Sequence, residues 1–113
     1  MSRCPRCEPV PEEVRRAANL LERRWTLSII FVTLHGEQRF NALLESVPGI
    51  SPRMLSERLR DLEHAGLIER RVLPASPPAV EYRLTARGRE LAPLIQALAR
   101  YAASETADSV ALV

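Results

Sequence analysis

The sequence predicts a mainly α-helical domain closed by one small β-hairpin, an α+β fold, and three observations predict it. Apolar residues recur at helical spacing over most of the chain. Just two runs read as strands, "LIERRVL" and "AVEYRLT", and they are neighbours. Hydrophobic residues at 46% and charged residues at 27% of a 113-residue chain are globular values, and they suit a single small domain. Residues 11–103 are read as that domain, 1–10 as a flexible tail, and 104–113 as a frayed C-terminal tail.

The elements follow in order. Pro11 is placed as the first residue of a helix whose thin apolar face is Val14, Ala17, Ala18 and Leu21. "WTLSIIFVTL", from Trp25 to Leu34, is apolar nearly all round, which marks a buried central helix ending at Gly36. An extended "QRF" leads to a short third helix capped by Asn41, with Leu43, Leu44 and Val47 inward, and Pro48-Gly49 then turns the chain.

The fourth helix carries the best local signals. Ser51 is its N-cap, Pro52 its first residue, and Ile50 and Leu55 occupy the two positions of a hydrophobic staple. Leu55, Leu59 and Leu62 form its apolar stripe, and Gly66 fits a left-handed cap with Leu67 folding back on Leu62. Its predicted span is Pro52 to Ala65. In the second strand Val80, Tyr82 and Leu84 alternate with Glu81 and Arg83, and "PASPPA" is a stiff loop longer than a tight hairpin needs. Thr85 caps one last helix with Leu91, Leu94, Ile95, Leu98 and Ala102 at helical spacing, bent early by Pro93.

Four helices, a hairpin with a long loop, then a closing helix is the order of a winged helix-turn-helix. The third and fourth helices, joined by "VPGIS", are the helix-turn-helix pair. At about 100° per residue, Arg53, Ser56, Glu57, Arg60 and His64 point away from the leucine stripe. In this fold that face enters the DNA major groove. Arg53 can meet a guanine edge with both arms, Glu57 can accept from a cytosine amine, and Ser51 or Ser56 can bond a phosphate. Pro52 at the helix start and Arg39 before the third helix are further candidates. Ser76, Pro77 and Pro78 form the wing, with Arg71 and Arg83 beside it, and Arg70 as well, able to neutralise phosphates. Arg58 lies next to the stripe and is expected to be partly structural.

Two plainer readings stand beside this one. The polar face of the fourth helix can be simply solvated, and Arg70, Arg71 and Arg83 can be strand charges paired with Glu69 and Glu81. A winged helix can also serve protein–protein contact without DNA. Salt separates the cases, since phosphate contacts weaken steeply as salt rises. Composition adds little: net charge is +2, and all 16 basic residues are arginine. No carboxylate pair, nucleophile set or phosphate loop suggests an enzyme, and no cofactor is implied. "MSRCPRCEPV" lacks a signal-peptide core and no apolar run is long enough to span a membrane, so a cytoplasmic protein is expected.

The motifs "RFNALLESVPGIS", "ML..RLR.LE..GLI.R" and "PP.VEY.LT..G" resemble the HxlR family of bacterial transcription regulators, relatives of the MarR regulators. The match covers roughly residues 12 to 102. It implies a homodimeric repressor or activator, here a repressor, that binds double-stranded DNA at a pseudo-palindromic operator. Pairing would run through the first and last helices, with Val14, Leu21, Leu91, Leu94, Ile95, Leu98, Tyr101 and Ala102 at the interface. Where many members have "GGKW" this chain has "ERRW", Glu22 to Trp25, so the first helix is expected to run on. Tyr101 stands where the family carries a tryptophan. The family's redox cysteine falls near Glu12 here.

The two cysteines lie further upstream, in "RCPRC". Arg3 and Arg6 favour the thiolate, and a CxxC pair can close on itself or join a partner chain. Cys4 and Cys7 are therefore candidate redox sensors, with an inert tail as the alternative. A metal is not expected, because His35 and His64 are the sole histidines and neither has a zinc-finger spacing from the cysteines.

Overall fold

The computed structural model describes residues 8–36 and 39–109, with side chains through Ser104. Cys4 and Cys7 lie outside the described residues. The elements are α1 (Glu12–Leu21), α2 (Thr26–Leu34), α3 (Phe40–Ser46), α4 (Pro52–His64), β1 (Ile68–Leu73), β2 (Ala79–Leu84), α5 (Ala86–Arg89) and α6 (Ala92–Ser109).

Pro11 is the N-cap of α1 rather than its first residue: its ψ of 147° is extended, and its carbonyl accepts the first helical bond from Arg15 N–H at 3.0 Å. The acidic pair Glu12 and Glu13 then suits the positive end of the helix dipole. Contrary to expectation α1 does not run on into α2. It ends at Leu21, and the chain turns through residues 22–25, where Trp25 takes the left-handed conformation at φ 78°. Gly49, itself at φ +92°, makes room for the indole: a Cβ there would lie 3.3 Å from Trp25 Cη2. Arg24 covers the ring 4.5 Å from its centroid.

Asn41 is not the cap of α3. It lies inside the helix, and the extended residue before Phe40 is Arg39, which also bridges to Glu81 of β2. In α4 the predicted devices are all present. Ser51 Oγ accepts from Met54 N–H at 3.1 Å, and Ile50 and Leu55 are both buried. Leu67 N–H reaches Leu62 carbonyl at 2.9 Å and Gly66 N–H reaches Glu63 carbonyl at 3.0 Å, the paired bonds of a Schellman ending. The helix stops at His64, one residue before the predicted end.

β1 and β2 pair antiparallel from Ile68 opposite Leu84 to Leu73 opposite Ala79. The last helical region is two helices, not one. Thr85 Oγ1 caps α5 by accepting from Gly88 N–H at 3.0 Å, and α6 starts anew at Ala92. Pro93 explains the break, because it has no N–H for the carbonyl four residues back and its ring crowds that position. α6 then continues through Ser104, where the sequence placed the start of a tail, to Ser109.

One core joins these pieces: Ile29 and Ile30 of α2, Leu43 of α3, Leu55, Leu59 and Leu62 of α4, Ile68 and Leu84 of the hairpin, and Ile95 of α6. Ile95 is 1% exposed in the single chain, so it seals its own domain and is not available to a partner. That corrects its placement among interface residues.

Candidate nucleic-acid interface

The leucine stripe of α4 is fully occupied by the core, which fixes the roll of the helix. Arg53, Ser56, Glu57, Arg60 and His64 are consequently all exposed, along with Ser51 and Pro52 at the helix start. Ser51 Oγ is committed as an acceptor to the cap, which leaves its hydroxyl hydrogen for a partner. Arg53 and Glu57 approach to 4.0 Å across one helical turn, so each would give up only a weak, exposed partner to meet a base edge.

Arg58 behaves as its position beside the stripe suggested. Its side chain is 17% exposed and bonded on two sides. Nε donates to the Arg24 carbonyl at 2.9 Å, and Nη1 donates to Asp61 Oδ2 at 2.9 Å. The same Asp61 oxygen takes Arg23 Nη1 at 2.9 Å. These bonds tie α4 to the turn between α1 and α2. Sequence reasoning missed Arg23, Arg24 and Asp61, because nothing in local spacing shows that "ERRW" meets the flank of a helix so far along the chain.

β1 of the hairpin packs against α4. Arg70, Arg71, Ser76, Pro77 and Pro78 are exposed and Arg83 is half-buried; the Ser76-Pro77 peptide is cis. Arg71 is paired with Glu69 at 3.6 Å, as the plainer reading of the strand charges had it. Arg39, Arg60, Arg70 and Arg83 make no ion pair among the described residues. The backbone bridge from exposed Arg39 to Glu81 pins the outer edge of β2 to the start of α3. Wing and helix-turn-helix are thus fastened into one frame.

The histidines do not gather ligands. His35 stacks on Phe31 at 4.3 Å between ring centroids and shares a 2.8 Å hydrogen bond with the Phe31 carbonyl, while His64 is exposed in the last turn of α4. The proposed interface residues of the terminal helices are mixed. Val14, Leu94, Leu98, Tyr101 and Ala102 are exposed, Tyr101 at 65%, and Leu21 and Leu91 are half-buried. No helix among the described residues is long and apolar enough to cross a membrane.

A family model described as HxlR-like helix-turn-helix matches residues 20–109. The chain belongs to the HxlR-like family. It is 39% identical over 99 residues to YvaP, an uncharacterized HTH-type transcriptional regulator of Bacillus subtilis (strain 168), covering 88% of this chain and 85% of YvaP. The HTH-type transcriptional regulator YodB of the same organism is also 39% identical over 99 residues, with 88% and 82% covered. The reduced form of YodB superposes with a TM-score of 0.74 at 38% identity, over 83% of this chain and 92% of that one. HypR, described as a redox regulator, superposes in its reduced form with a TM-score of 0.77 at 32% identity, over 84% and 94%. This HxlR-like chain is therefore a helix-turn-helix transcription regulator with a winged-helix fold.

Proposed function

We propose that the protein is a cytoplasmic, homodimeric repressor that reads a pseudo-palindromic operator in double-stranded DNA. The observation that carries this reading is the exposed row on α4, held at fixed roll by three buried leucines and by the Arg58 bonds to Asp61 and the Arg24 carbonyl. Arg53 and Glu57 read base edges from the first turns of α4, where a helix entering the major groove makes its base contacts. Ser51, Pro52, Ser56 and Arg60 lie along the phosphates. Arg39, Arg71, Arg83 and the Ser76–Pro78 loop follow the backbone next to the groove. Val14, Leu21, Leu91, Leu94, Leu98, Tyr101 and Ala102 pair two copies, and the pair occupies promoter DNA that polymerase needs.

Thiol oxidation is the proposed signal. Supporting it are the paired Cys4 and Cys7 and the likeness to HypR. The resemblance puts the family's cysteine near Glu12, which is bonded to Arg16 at 2.9 Å, so the signal would act through the CxxC pair instead. Peroxide would take two electrons and two protons from the thiols, giving a disulfide and water.

Fluorescence anisotropy on DNA upstream of the gene tests both parts, with protein reduced and then peroxide-treated over a salt series. Binding should be tight, salt-sensitive, weakened by oxidation and protected by Cys7→Ser. Tight binding that ignores oxidation would remove the thiol signal and keep the regulator. No specific binding in either state would remove the DNA reading of this promoter.

A further inference from the structure

A cleft of about 430 Å³ lies on the flank of α4, lined by Arg23, Glu57, Arg58, Arg60 and Asp61. Its walls carry three guanidinium groups against two carboxylates, so it is a net cation. Asp61 Oδ2 serves two of them at once, and Glu57 faces Arg53 as well. Arg58 is immobilised by its bonds to Asp61 and to the Arg24 carbonyl. Arg23 is different: its side chain is 50% exposed and its one ion pair among the described residues is with an oxygen that Arg58 would continue to satisfy. Arg60, beside it, has no ion pair among the described residues.

A helix with its side chains is about 10–12 Å across and the major groove is about 12 Å wide. When α4 occupies the groove, a cation held on its flank faces the sugar–phosphate rail and not the base edges. We propose that this cleft is a backbone-phosphate site, in which Arg23, from the turn before α2, swings from Asp61 to clamp one DNA phosphate together with Arg60. The proposal rests on the DNA reading above and adds to it a contact outside the helix-turn-helix and the wing. Asp61 acts as the holder: it keeps the Arg23 guanidinium over the cleft before DNA arrives, and Arg58 keeps Asp61 in place.

The test is the salt dependence of binding by full-length Arg23→Ala, Arg23→Lys and Arg16→Ala, each first shown to melt like the wild type. Arg16 is an exposed arginine of α1 bonded to Glu12. A phosphate contact predicts that Arg23→Ala lowers the slope of log affinity against log salt by about 0.9 for each protomer bound. Over a fourfold rise in salt the affinity gap between wild type and variant then narrows about 3.5-fold per protomer. Arg23→Lys should keep the wild-type slope, Arg16→Ala should leave it unchanged, and the preferred bases should be the same throughout. An Arg23→Ala protein that binds more weakly at an unchanged slope would make Arg23 a purely structural residue and overturn the site. Unchanged affinity and slope would overturn it too, with DNA binding intact. A wild type that binds no duplex at any salt would end both readings together.

Discussion

Two glycines are required here for different physical reasons, and substitution separates them. Gly66 sits at φ +78° with open space where a Cβ would point, so the cost of Gly66→Ala is backbone strain alone, about 1–2 kcal/mol. Asn, which tolerates that region, should recover part of it. Gly88 has ordinary helical geometry, but a Cβ would run into the Leu67 carbonyl and crowd Leu84. Gly88→Ala should cost about 1–3 kcal/mol by overpacking, and Gly88→Asn should be worse rather than better. Urea unfolding of the four variants checks both signs. Arg58→Ala removes two hydrogen bonds, one to a carboxylate and one to a carbonyl, and should cost about 2–3 kcal/mol. A variant as stable as the wild type would show that α4 does not depend on the turn before α2 for its placement.

The fourth helix was the most legible element because every signal for it is local: cap, staple, stripe and glycine ending all fall within the helix and the few residues flanking it. Ser51→Ala should lower stability by about 1 kcal/mol by freeing the Met54 N–H, and Leu59→Ala by about 2–5 kcal/mol by emptying a core site, both measured by thermal unfolding. The exposed face of α4 was legible for the same reason, since burying three leucines at helical spacing leaves its orientation no freedom. What sequence spacing hid was set by distant partners. Trp25 takes the left-handed conformation at the start of α2, with Gly49 leaving room for its ring, so the chain turns between α1 and α2 even though "ERRW" has no glycine of its own. Arg39 rather than Asn41 precedes α3, because its backbone is already extended against Glu81 of β2. The helical periodicity of Leu91 to Ala102 is real, yet Pro93 splits the region, and only the packing of α6 against α2 shows which face Ile95 takes.

At the scale of the molecule, α6 runs past the part of it that its own domain covers. Beyond Ile95 every described side chain is exposed, Leu98 and Tyr101 among them. The radius of gyration is 17.2 Å, where a compact domain of about 100 residues has about 13 Å. A second copy laid on this helix would bury that surface, so the proposed dimer predicts that the wild type sediments as two chains and Leu98→Glu as one, with the secondary structure intact. It should also weaken operator binding, because two half-sites are then no longer linked. The central claim is narrower: the exposed row of α4 reads bases. It is tested most directly by selecting bound sequences from a random duplex library with the wild type and with Arg53→Ala. The account predicts a two-fold related sequence for the wild type, and for the variant the same sequence with the preference lost at one position of each half-site. Identical preferences from both proteins, or no enriched sequence from the wild type, would contradict it.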